Sequence, residues 1–136
     1  MAMTTPTSTP PRTRPVVLLV DDERPLLDAL RLGLEMDFEI ESAGSAEEAE
    51  VMMASRHYDA VVCDHLMPGE AGLDFLTRMQ RLFPHTRRIL LTGYMNPELI
   101  SRSVAVAGLS DCLLKPVKAA QLADAVRTAL ERNSQF

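Results

Sequence analysis

Short apolar runs recur along the chain and alternate with segments whose apolar residues fall every three or four positions. The runs are VVLLV (16–20), FEIES (38–42), DAVVC (59–63), RILLT (88–92) and DCLL (111–114). Several are β-branched and apolar throughout, as strands covered on both faces are. Between them the helical period takes over. Leu26, Leu30 and Leu34 follow Pro25, a residue suited to a first helical turn. Ser45 with Glu48 is a capping-box signal, and Ala46, Ala49 and Met53 then share one face. Phe75, Met79 and Leu82 mark a third helix, and Asn96-Pro97 opens a fourth that carries Ile100 and Val104. Leu122, Val126 and Ala129 mark a fifth, ending near Asn133.

Five βα units predict an α/β domain over residues 15–134, a five-stranded parallel sheet with helices on both faces. Right-handed crossovers leave few topologies. The flavodoxin-like (βα)5 order 2-1-3-4-5 sets the ends of strands one and three side by side at the switch point. Ligands of such sheets bind beyond the carboxyl ends of the strands, so chemistry is sought there.

Composition narrows the class. A chain of 136 residues holds one ordinary domain, and its 46% apolar share suits a packed core. The formal net charge of −5 argues against direct nucleic-acid binding by general electrostatics. No apolar run approaches the roughly 18 residues of a membrane span. Residues 1–14, MAMTTPTSTPPRTR, read as a disordered Thr/Pro-rich leader without the apolar stretch of a secretory signal. Cys63 and Cys112 lie inside apolar segments. A disulfide is compatible with their number, but nothing points to an oxidising compartment, so two buried free thiols and a cytoplasmic location are expected.

The strand ends carry the charges. Strand one ends in Asp21-Asp22-Glu23 and strand three in Asp64. In the expected order these carboxylates converge, and such charges repel unless a cation sits among them. A hard divalent ion such as Mg²⁺ meets that need. The competing reading, that the acids cap the next helix through its dipole, suits Glu23 better than Asp64, which precedes the turn HLMPGEAG. Strand four ends in Thr92-Gly93, which is either an ordinary turn or room for a bulky anion beside a hydroxyl. Strand five ends in Lys115-Pro116, and Lys115 and Lys118 are the only lysines in the chain. A lysine at a strand end can neutralise a carboxylate or a transferred phosphate. Lys118 fits better as an ordinary helix-edge lysine. Together the four ends form a coherent phosphoryl-transfer set: Asp64 as nucleophile, the Asp21/Asp22 pair for metal, Thr92 and Lys115 for phosphoryl oxygens.

With VVLLVDDE, VVCDHLMPGEAGLDFL, RILLTGY and LLKPV in this order, the chain resembles the receiver domain of two-component response regulators over residues 15–134. That family has the 2-1-3-4-5 order, so the topology above is not independent of the resemblance. The resemblance implies that Asp64 accepts a phosphoryl group from a phosphohistidine on a sensor histidine kinase or phosphotransfer protein. It implies Mg²⁺ held by Asp22 directly, Asp21 through water, Asp64 and the Leu66 carbonyl. Thr92 and Lys115 would contact phosphoryl oxygens, Gly93 would keep access open, and the Lys115-Pro116 bond would be cis. Such a domain is no enzyme beyond its own phosphoryl transfer and dephosphorylation. Its downstream partner is a protein met through the fourth helix, fifth strand and fifth helix, a face here including Ile100, Val104, Leu113 and Leu122. That face also admits a homodimer.

Three departures stand out. Cys112 occupies the switch position where the family usually carries Tyr or Phe, an aromatic side chain that swings inward as the threonine moves. A cysteine cannot do this in the same way. Leu66 and Tyr94 occupy the two positions that flank the attacking water's route, and an apolar and a bulky residue there imply a long-lived phosphoryl group. Only a few residues follow the fifth helix, so no output domain is expected, which suits a stand-alone receiver or a piece of a longer regulator. Two other functions remain open: a receiver-like scaffold that is never phosphorylated, and a Mg²⁺-dependent aspartyl phosphatase. The second lacks a general acid two residues after its nucleophile, where Leu66 stands.

Overall fold

The computed structural model describes residues 14–93 and 96–133, apart from the side chains of Leu99 and Asn133. Five strands alternate with five helices: β1 (Val16–Val20), α1 (Arg24–Leu34), β2 (Glu39–Ala43), α2 (Ala46–Ser55), β3 (Ala60–Asp64), α3 (Gly72–Leu82), β4 (Arg87–Thr92), α4 (Pro97–Ala107), β5 (Asp111–Leu114) and α5 (Ala119–Asn133). All strand pairs are parallel, in the order β2-β1-β3-β4-β5. Of the leader expected over residues 1–14, residues 1–13 lie outside the described part, as do Tyr94 and residue 134.

Local chemistry accounts for the element boundaries. Pro25 stands in the first turn of α1, where its missing N–H removes nothing. Glu48 N–H donates to Ser45 Oγ at 3.1 Å, and Glu48 Oε1 accepts from Gly44 N–H at 2.8 Å, so the box at the start of α2 closes one residue early on its return side. The second strand starts at Glu39 rather than Phe38. Phe38 N–H closes the end of α1 on Leu34 O at 3.0 Å, while Glu39 N–H joins the ladder at Pro15 O, 2.9 Å. The α1 stripe is Leu27, Leu30 and Leu34, with Leu26 only partly buried. Leu82 and Val104, expected on helix faces toward the core, are exposed.

Alternate strand residues feed two cores. Val17, Leu19, Val62, Ile89 and Leu91 pack under α1 and α5, while Leu18, Val20, Val61, Cys63 and Leu90 pack under α2 and α3. β3 is buried along its whole length, which makes it the central strand and sets Asp64 at the end of a rigid element. Both cysteines are free, Cys63 buried and Cys112 half-buried. The register pairs Cys63 with Leu90 and Leu90 with Cys112, so two interstrand spacings of about 4.8 Å separate them, beyond disulfide reach.

Candidate functional site

Adjacent pairing of β1 with β3 brings Asp21 and Asp22 beside Asp64. One ligand atom from each of these three carboxylates lies within 4.8 Å of the others. Asp21 is 3% exposed and Asp64 4%, whereas Asp22 is open to solvent. Asp21 is fixed by the neighbouring strand and by its own turn: its N–H donates to Ala43 O, at the end of β2, at 3.1 Å, and its Oδ1 accepts from Glu23 N–H at 2.9 Å. Its other oxygen, Oδ2, is buried without a hydrogen-bond partner.

Lys115 reaches into the same crevice. Its Nζ donates to Asp64 Oδ1 at 3.2 Å and stands 3.6 Å from both Asp21 Oδ2 and Glu23 Oε1. The lysine arrives there because Lys115 N–H continues the β4–β5 ladder onto Thr92 O at 2.8 Å. The following Lys115-Pro116 peptide is cis. Thr92 is buried at the end of β4. Among the described residues, its chain neighbours aside, no atom lies within 4 Å of where a Cβ on Gly93 would stand.

Four carboxylates against one ammonium leave the crevice strongly negative. Burial raises the Asp21 carboxyl above the usual carboxylate range, opposed by the Glu23 N–H and reinforced by the charge of Asp64. Burial pulls the Lys115 ammonium down, but its bond to Asp64 and the surrounding acids raise it on balance. The Cys63 thiol, behind Asp64, is pushed well up by burial and by the Asp64 and Asp21 charges, which keeps it protonated and inert. The unpartnered Asp21 Oδ2 and the all-oxygen donor set fit a hard cation such as Mg²⁺.

Two supporting features were not legible from motif spacing. Gly72, the first residue of α3, donates its N–H to His65 O at 2.9 Å, and a Cβ there would run into the Asp64 carbonyl. The helix therefore seats directly on the backbone of the central aspartate. Arg78 grips the β3–α3 loop through Glu70 (2.8 and 2.7 Å) and joins it to α2 through Glu50 at 2.8 Å. The glycine stood in plain sight within the third-strand motif, but only contact with Asp64 gives it a role. Leu66 is 73% exposed and therefore free of the core. Cys112 packs against the edge of the α2/α3 core, and burial raises its thiol as well.

A parallel 2-1-3-4-5 sheet with this acidic crevice at its carboxyl edge defines a class, and residues 17–127 match the response regulator receiver domain family, to which the chain belongs. It is a signalling domain of two-component systems. Among its relatives, the hydrogenase transcriptional regulatory protein HoxA of Cupriavidus necator is 37% identical over 115 residues, which is 85% of this chain and 24% of that protein. The response regulator protein PilR of Pseudomonas aeruginosa is 31% identical over 118 residues, 86% of this chain and 26% of PilR. The chain thus spans about a quarter of the length of these curated relatives. The signal receiver domain of an HD domain-containing protein from Pseudomonas fluorescens Pf-5 superposes with a TM-score of 0.83 at 32% identity, covering 90% of this chain and 99% of that one. Among the described residues, no helix is long and apolar enough to cross a membrane.

Proposed function

We propose that Asp64 accepts a phosphoryl group from a phosphohistidine of a sensor histidine kinase or phosphotransfer protein, and that this switches a protein-binding face. The observation that carries the reading is the meeting, in one crevice, of carboxylates from two adjacent strand ends with the ammonium of Lys115. Asp21, Asp22, Asp64 and the Leu66 carbonyl are the groups to hold Mg²⁺. When bound, the ion supplies positive charge against the carboxylates and the phosphoryl oxygens.

The chain's own residues divide the work. An Asp64 carboxylate oxygen attacks phosphorus, the donor's N–P bond breaks, and its electron pair leaves with the imidazole. Lys115, already at Asp64 Oδ1, transfers its contact to a phosphoryl oxygen as a compact point charge. The Thr92 hydroxyl takes another oxygen, and Gly93 leaves the approach open. Leu66, beside the site and apolar, shields the acyl phosphate from water and makes it long-lived; its partner in that role, Tyr94, lies outside the described residues.

The output face is α4–β5–α5. Val104 and Leu114 are exposed there, whereas Leu113 and Leu122 belong to the core and are unavailable to a partner. A homodimer through this face is part of the proposal. With Cys112 at the switch position, the face is read out without an inward-turning aromatic. The location we propose is the cytoplasm.

Exposure to Mg²⁺ and acetyl phosphate, followed by intact-mass measurement, tests the reading. One added phosphoryl group, absent in Asp64→Asn and without Mg²⁺, is expected. No adduct on the unaltered chain would leave a scaffold that is never phosphorylated. Continuous turnover of unrelated phosphomonoesters would instead reveal a phosphatase.

A further inference from the structure

We propose that His65, the residue after Asp64, is a positioning residue: its imidazole caps α3 in place of the Ala71 side chain and so fixes the turn that carries the Leu66 carbonyl. The first N–H groups of a helix have no intrahelical acceptors, and the side chain at the cap position ordinarily takes one of them. Ser45 does so for α2 through Glu48 N–H. At α3 the cap position holds Ala71, extended at φ −65° and ψ 146° as a cap should be, but with no oxygen on its side chain. The N–H of Leu73, the second residue of the helix, donates instead to His65 Nδ1 at 3.4 Å. Gly72 N–H, the first, donates to His65 O at 2.9 Å. One residue at the strand end thus takes both.

The chemistry suits a cap. A neutral imidazole has one nitrogen that donates and one that accepts, so accepting at Nδ1 puts the ring proton on Nε2. His65 is itself held from a third side, because its N–H donates to Leu91 O of β4 at 2.8 Å. Its N–H therefore ties the end of β3 to β4, while its carbonyl and ring tie it to α3. The far end of the turn is closed by the pair of bonds from Arg78 to Glu70. Between these anchors Met67 rests on the edge of the α2/α3 core, while Leu66 is exposed and takes no hold there. The Leu66 carbonyl, one residue from His65, depends on that residue for its place. The cap stands on geometry alone; its part in holding Mg²⁺ rests on the Asp64 reading above.

Amide hydrogen exchange of the full chain, read residue by residue by NMR and first without Mg²⁺, tests the cap. His65→Ala removes the acceptor, His65→Asn returns an oxygen near the place of Nδ1, and His65→Ala with Ala71→Ser moves the cap to its ordinary position. Exchange at Leu73 is expected to be roughly fivefold faster in His65→Ala, the effect of losing a cap of ordinary strength, and to return toward the unaltered rate in the other two. Unchanged exchange at Leu73 in a folded His65→Ala would overturn the cap. If that variant unfolds, the imidazole nitrogen shifts of the unaltered chain in mildly alkaline buffer decide: Nδ1 without a proton is expected, and a proton on Nδ1 would overturn the cap. Calorimetric titration with Mg²⁺ then tests the positioning. Half-saturation is expected at a severalfold higher concentration in His65→Ala and near the unaltered value in the two restored variants, a recovery that damage to the fold at large would not show. An unchanged midpoint in His65→Ala, or one that stays raised after the cap is restored, would overturn the positioning. If the unaltered chain binds no Mg²⁺, the Asp64 reading fails and the positioning with it, while exchange at Leu73 still judges the cap.

Discussion

Asp21 is held in a state it does not favour. Its carboxylate is buried, one oxygen has no hydrogen-bond partner, and Asp64 adds like charge, so its pKa is raised. A carboxyl whose folded pKa lies above its unfolded value costs stability once ionised, and the cost disappears as pH falls through the raised value. The magnesium-free protein is thus expected to gain stability on mild acidification through that range. Asp21→Asn keeps the Oδ1 bond from Glu23 N–H but removes the charge, so it should raise the melting temperature in EDTA at neutral pH. A gain of about 1 kcal/mol would read as roughly 4 °C in a domain of this size. The same variant should lose the extra stabilisation that Mg²⁺ gives the unaltered chain, as differential scanning calorimetry with and without the ion would reveal. Lys115 runs the other way: its raised pKa contributes stability that is present at neutral pH and lost only as strong alkali deprotonates it. At Leu66 the expected change is kinetic. Leu66→Asn, which admits and orients water, should shorten the lifetime of the phosphoryl group severalfold in a label-decay assay, and an unchanged lifetime would remove the shielding role.

At the scale of elements, the strand ends were readable because charge after an apolar run is conspicuous, and the helix starts because Pro25 and Ser45 carry their reasons locally. Two kinds of detail were not. The α1 stripe shifts from Leu26 to Leu27 because four-residue spacing drifts against a 3.6-residue turn, and only the tertiary partner decides which leucine faces inward. Gly72 and His65 look ordinary in sequence, since their partners lie on other elements. For Gly72 the consequence is measurable. Alanine there must push α3 away from the Asp64 carbonyl, so Gly72→Ala should destabilise the fold by about 1–3 kcal/mol, as overpacking does. Urea unfolding checks this, and a smaller adduct yield at matched Mg²⁺ would show that the displacement reaches Asp64.

Over the whole molecule, topology does what no single residue does. Strands distant in sequence become neighbours in the 2-1-3-4-5 order, and the carboxyl ends of β1, β3 and β5 bring Asp21/Asp22, Asp64 and Lys115 into one crevice, with Thr92 buried at the end of β4 between the last two. The family membership rests on the match over residues 17–127, while the chemistry proposed for it turns on one side chain. Borohydride reduction after treatment with Mg²⁺ and acetyl phosphate identifies that side chain directly, because an aspartyl phosphate is reduced to homoserine, which peptide mass spectrometry locates. The account predicts homoserine at position 64 and nowhere else. Homoserine at position 21 or 22, or none despite a phosphorylated mass, would contradict it.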